Sequence, residues 1–268
     1  MIRIRFQAFK SPIVAMGLAA AMLAACGDGA PVTPEEHSKP DSAEAGYLAP
    51  PTVESVGRAS GQVALSGQAT PKAEVRLRAP TGETVKTNAD PAGHWSLTLP
   101  IRPGVRLFGL SETHAGRTVQ AEGYMMVSED GDVAQLRAGA GAYRLVAGSS
   151  SPKILAVDVD REGGAVVSGV AAPGAGLNVR VDRTTRGGGR ADDQGRFYIS
   201  LRDQLAPGAH DVQIGGEGGE DAVSVVVSSP APLTAGPVRS ERTPTGWRVD
   251  WLTPGGGVQT TLLIGDGR

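Results

Sequence analysis

From residue 52 onward, apolar and polar positions alternate in short runs. Val63-Ala64-Leu65, Val75-Arg76-Leu77-Arg78 and Trp95-Ser96-Leu97-Thr98-Leu99 each put apolar side chains on one face at period two, the spacing of a half-buried strand. Turn residues separate the runs: Ala-Thr-Pro-Lys at 69–72, Pro80-Thr81-Gly82 and Asp90-Pro91-Ala92-Gly93. No segment after residue 26 keeps a helical period over three turns. Short strands recurring about every 8–12 residues predict an all-β sandwich or barrel.

The pattern then returns at a constant shift. Residues 61–99 lie over 163–201 without a gap, with 11 of 39 positions identical. Ser66-Gly67 falls on Ser168-Gly169, Pro71 on Pro173, Ala89-Asp90 on Ala191-Asp192, Gly93 on Gly195 and Trp95 on Phe197. Identity concentrates at turns while strand positions keep their apolar character, which indicates two copies of one unit. The equivalence of Trp95 and Phe197 predicts a shared core position.

"SGQATPKAEVRL…NADPAGHWSLTLP" and "SGVAAPGAGLNVRV…ADDQGRFYISL" resemble bacterial Ig-like domains and, secondarily, carboxypeptidase-regulatory-like sandwiches. The resemblance covers most of 52–128 and 153–228. It implies two tandem Ig-like β-sandwiches, modules that serve adhesion, spacing and binding alike. The Cys…Trp…Cys core of antibody-type domains is absent. Each copy trails a strand–turn–strand segment, at 133–146 and 247–264, and both are read as hairpins of the repeat unit. The expected organisation is a signal peptide at 1–25, a tether at 26–51, a first domain with its hairpin at 52–148, a second at 153–229, and a linker with a Trp-bearing hairpin at 230–268.

The N-terminus adds an address. A basic start (Arg3, Arg5, Lys10) precedes an apolar stretch at 13–25 that ends in Leu23-Ala24-Ala25-Cys26. This resembles the lipobox of bacterial lipoproteins. The resemblance implies cleavage between Ala25 and Cys26, acylation of Cys26 by palmitate-type chains, and attachment to a membrane of the cell envelope. Gly27 in place of Asp implies the outer membrane. Residues 27–51 are rich in Pro, Glu, Ser and Gly and read as a disordered tether reaching roughly 25–30 Å.

Charge and cysteine content narrow the classes. Cleavage leaves 243 residues with 23 basic and 28 acidic side chains, a net charge of −5. A mildly acidic chain without basic blocks is not a nucleic-acid binder. Cys26 is the one cysteine, so no disulfide supports the fold and packing alone must hold it.

Candidate chemistry is sparse. Asp90, Asp192 and Asp193 suggest calcium, but the six to eight oxygens that calcium takes are not supplied; an Asp side chain closing a turn, with glycine at positive φ, accounts for them. Glu129-Asp130-Gly131-Asp132-Val133 reads as a tight turn. The four histidines (37, 94, 114, 210) lack zinc spacing. There is no G-x-S-x-G elbow, and no catalytic residue, metal or cofactor is assigned. Gly187-Gly188-Gly189 and the 215–219 run read as flexible turns rather than phosphate loops. Trp247, Val249 and Trp251 share one face of a strand. That face either covers an end of the second sandwich, with Val258, Thr260, Leu262 and Ile264 opposite, or stacks on a sugar or protein partner. The expectation is a non-enzymatic, membrane-anchored envelope lipoprotein acting as a structural or protein-interaction module, whose open sheet edges would accept an added strand. The alternatives are a glycan- or peptidoglycan-binding lipoprotein using Trp247 and Trp251, an accessory subunit of an envelope complex, and an envelope hydrolase.

Overall fold

In the computed structural model, residues 48–265 are described, and all regular structure among them is β-strand. Ala25, Cys26, the signal segment and most of the tether lie outside the described residues. The described residues belong to one compact unit.

The alternating runs become strands where expected. The first repeat is β1 (Thr52–Ala59), β2 (Gln62–Gln68), β3 (Glu74–Arg78), β4 (Thr84–Asn88), β5 (His94–Pro100), β6 (Arg106–His114) and β7 (Arg117–Gln120). Then come β8 (Tyr124–Val127), β9 (Val133–Leu136) and β10 (Tyr143–Arg144). The second repeat is β11 (Lys153–Val159), β12 (Ala165–Val170), β13 (Gly176–Val181), β14 (Thr184–Arg190), β15 (Arg196–Ser200), β16 (Gly208–Gly216) and β17 (Gly219–Val227). The chain closes with β18 (Val238–Thr243), β19 (Gly246–Leu252) and β20 (Val258–Ile264). The shift of 102 therefore carries β1–β7 onto β11–β17, well beyond the 39 residues matched in sequence.

Each repeat is an antiparallel sandwich. In the first, β1-β2-β5 lies against β10-β9-β8-β6-β3-β4, with β7 also on β6; in the second, β15-β12-β11-β20-β19-β18 lies against β14-β13-β16-β17. Val63, Leu65, Val75, Leu77, Trp95 and Leu99 fill the first core, and Val157, Val167, Val179, Phe197, Ile199 and Ile214 fill the second. Trp95 and Phe197 thus occupy the same place in their two cores.

The repeated turn residues have repeated work. Asp90 Oδ1 accepts the N–H groups of Ala92 and His94, and Asp192 Oδ1 those of Gln194 and Arg196. Gly93 and Gly195 follow at φ 91° and 76°, where a side chain is strained. Gly67 and Gly169 sit beside matching irregularities in β1 and β11, and a Cβ on either would stand 1.9 Å from a carbonyl oxygen of Thr52 or Lys153.

Three expectations are corrected. Gly187, Gly188 and Gly189 lie inside β14 rather than in a turn, because a Cβ at Gly187 would meet Ile199 Cγ2 at 2.8 Å. The glycines let β14 close down on β15. The two trailing segments are not equivalent: β8–β10 extend the sheet of β6, whereas β18–β20 add beside β11, in the other layer. Finally, the partners of the Trp face on β20 are Gln259, Thr261 and Leu263, paired with Trp251, Val249 and Trp247. This is one residue out of step with the expected set, and in a pleated strand one residue exchanges the faces.

Candidate functional site

The six-stranded sheet of the second repeat packs against a layer on each face, and this decides where the tryptophans go. One face meets β13, β16 and β17; the other meets the first repeat. Trp247, Val249, Trp251, Ala156 and Leu263 form a third buried cluster with Leu107, Met126, Ala134, Leu136 and Ala142. Trp251 is fully buried and Trp247 is 5 % exposed. Buried indole N–H groups require acceptors: Trp251 Nε1 donates to Thr261 Oγ1 at 3.0 Å, and Trp247 Nε1 to Asp130 Oδ2 at 3.1 Å. Tyr124 meets Trp251 edge-on at 5.9 Å, and the Arg242 guanidinium lies 4.5 Å over Trp247 while pairing with Asp130. Trp247 and Trp251 are therefore not an exposed binding platform. They fasten the repeats together, and the glycan reading loses the surface on which it stood.

A polar cluster sits beside this apolar seam. Asp158, buried on β11, accepts Ala142 N–H at 2.6 Å, Gln259 Nε2 at 3.0 Å and Thr261 Oγ1 at 2.5 Å. Burial pushes its pKa up to about 6, against the pull of those three hydrogen bonds. Gln259 Oε1 accepts Gly139 N–H at 3.0 Å, and Ser168 Oγ donates to Ala142 O at 2.7 Å. Arg144 donates to Ile264 O at 2.5 Å. A cleft of 210 Å³ opens in front of Asp158, but both carboxylate oxygens are already engaged by the fold.

The sequence-predicted chemistry otherwise resolves into turns. Ser128 Oγ accepts the N–H groups of Asp130 and Asp132 in the 129–133 turn, and Asp132 pairs with Arg58 and Arg144. His210 bridges Asp182 and Ala206 O, each at 2.8 Å. Among the described residues no cluster of three or more His, Cys, Asp or Glu could hold a metal ion.

The surface with an unfilled place lies under β18 and β19. The six-stranded layer is wider than the four-stranded layer that faces it, which ends at β17. The underside of the wide sheet records this step. Across one row, Val157 and Leu262 are buried in the core, and Arg248 and Glu241 continue the row beyond β17. Across the next row, Val159 gives way to Thr260, Asp250 and Arg239. Asp250 is buried and locked by Arg239, by Arg248 at 2.9 Å and by Thr260 Oγ1 at 2.7 Å. A groove of 440 Å³ runs along the step, lined by Ser224, Val226, Leu262, Arg248, Glu241 and Thr243.

β17 borders this groove as a sheet edge. Asp211 C=O in β16 and the N–H of Glu217 just after it bond toward β13, so the alternate residues Val212 and His210 bond to Val223 and Val225. The main-chain groups of Ser224 and Val226 consequently point out of the sheet. Val226 is 65 % exposed, unusual for a large aliphatic residue on an edge strand. Pairing across two layers produces this step, so no local sequence signal announced it.

No protein-family model matches this chain, and no curated protein matches it. Among solved structures it is similar to a "Biofilm associated protein - BSP domain", at 13 % identity and a TM-score of 0.23, over 69 % of this chain. The chain spans 30 % of the length of that structure.

Proposed function

We propose that this chain is a non-enzymatic, lipid-anchored envelope protein that presents β-sandwich surface to other envelope components, with strand addition at β17 as its mode of contact. The observation that carries the reading is the step under β18 and β19. A strand paired to β17 at the usual spacing of about 4.8 Å would fill the missing place in the narrow layer and cover the ionic underside of the wide one. Main-chain hydrogen bonds would supply the affinity, and side chains entering the groove the selectivity. The occupant is therefore an extended segment of a partner protein. The lipobox-like run ending at Cys26 supports attachment to a membrane, Gly27 supports the outer one, and the Ig-like character of the repeats supports a presenting role.

The test places a photo-crosslinking residue at Ser224 in the full-length protein in cells, with and without Val226→Pro. Proline removes an outward N–H that the fold does not use, so the protein should fold while the edge no longer accepts a strand. The expected result is a protein adduct in the membrane fraction that disappears with Val226→Pro, and that leaves the membrane fraction when Cys26→Ser is introduced. An adduct unchanged by Val226→Pro would remove strand addition. Membrane attachment unchanged by Cys26→Ser would remove the lipid anchor.

A further inference from the structure

The outer face of the first repeat carries a second, unrelated site. Four strands place Lys86, Arg76, Ser111 and Gln120 in one row across β4, β3, β6 and β7, and Arg78 stands beside Gly109 in the next row. A pocket of 300 Å³ opens over these rows, walled by Tyr124 and floored at Gly109, where no side chain fills the space. Lys86 is occupied by Glu74 at 2.9 Å. Arg76 and Arg78 make no ion pair or hydrogen bond among the described residues, and Arg76 Nε is buried without a partner. A half-buried guanidinium with an unused inward donor is a standing demand for an anion.

The second repeat supplies an internal comparison. Its corresponding face carries Asn178 where the first has Arg76, and its one arginine in these rows, Arg180, donates to Arg183 O. Carboxylates stand on that face as well: Asp211 takes the Ser224 hydroxyl and Glu220 the Gln213 amide. In the first repeat, β6 and β7 present only Gly109, Ser111, Thr113, Thr118 and Gln120 there. The unpaired arginines are thus particular to this copy and not a feature of the fold.

We infer that this pocket binds the carboxylate of an acidic sugar, a uronate residue within a polysaccharide. The two guanidinium groups would take the carboxylate, Ser111 and Gln120 the ring hydroxyls, and the Tyr124 ring one apolar face of the sugar. Tyr124 is held for this by its edge-on contact with Trp251. The position on the sheet face favours a sugar over a peptide. Main-chain groups of β3 and β6 are spent in the ladder, so a peptide strand would find no backbone partners, whereas a sugar ring brings all its polar groups on its own rim.

The experiment titrates the full-length protein with trigalacturonate, its methyl ester and a Glu-containing tripeptide, following binding by calorimetry. Saturable binding of trigalacturonate is expected, weakened at least tenfold by Arg76→Ala or Arg78→Ala, by esterification, and by raising the salt. Val226→Pro should leave it unchanged, which separates this site from the β17 edge. Unaltered thermal melting of the arginine variants keeps their loss interpretable. Equal binding of ester and acid, or arginine variants that bind like the parent, would overturn the carboxylate site. Binding of the tripeptide without trigalacturonate would overturn the sugar.

Discussion

Asp158 is a buried carboxyl group, and its surroundings set a pH dependence for the fold. Its folded pKa is about 6 against 3.8 for the free side chain. A raised pKa means that the folded form holds the proton more tightly. The contribution is therefore complete below about pH 4 and lost as pH rises through 6, a swing of roughly 3 kcal/mol. His210 acts in the same direction: hydrogen bonds to Ala206 O and Asp182 raise its pKa, so its contribution is present below pH 6.5 and lost as pH climbs past its raised value. Asp192 acts oppositely. Burial pushes its carboxyl up, but hydrogen bonds from the Arg196 N–H and guanidinium outweigh this and hold it low. Its contribution is present above the usual carboxylate range and lost in stronger acid. The melting temperature should accordingly peak on the acid side of neutrality, near pH 4–6, and fall toward pH 7.5. A maximum at or above pH 7 in a pH series would show that Asp158 is not held at the seam as described.

The β19–β20 hairpin shows how far a strand pattern can be read by itself. Alternation placed Trp247, Val249 and Trp251 on one face, and that face exists. What covers it comes from residues 107–142, more than a hundred positions away, and no local pattern contains that distance. The register on β20 was also out of reach, since Val258–Ile264 is buried on both faces and so shows no alternation to anchor the pairing. By contrast, Asp90, Gly93, Asp192 and Gly195 were legible because a side chain bonding to a backbone two to four residues away is a local event. The β17 step and the Arg76 pocket were invisible for the same reason as the seam: each depends on which strands end up side by side. With Trp95, Trp247 and Trp251 all buried, tryptophan emission should be blue-shifted and shielded from acrylamide. Red-shifted, freely quenched emission would return the hairpin indoles to the surface.

At the scale of the molecule, the two repeats keep separate cores and are joined by a third, buried apolar cluster. Arg144 is tied to Ile264, Ala142 to Asp158 and Trp247 to Asp130, so residues 130–144 of the first repeat are hydrogen-bonded to the sheet of the second. This arrangement joins the two repeats into one body without disulfides, with the β17 edge on one repeat and the arginine pocket on the other. Burying an indole contributes several kcal/mol, as Trp→Ala losses of about 3–5 kcal/mol indicate. The seam therefore couples the unfolding of one repeat to that of the other. The most direct measurement is differential scanning calorimetry of the full-length protein near pH 5. The buried seam predicts one transition whose calorimetric and van't Hoff enthalpies agree, with Trp251→Ala splitting it into two. Two separate transitions in the unaltered protein would contradict the account, leaving the repeats as independent beads with the tryptophans fastening nothing.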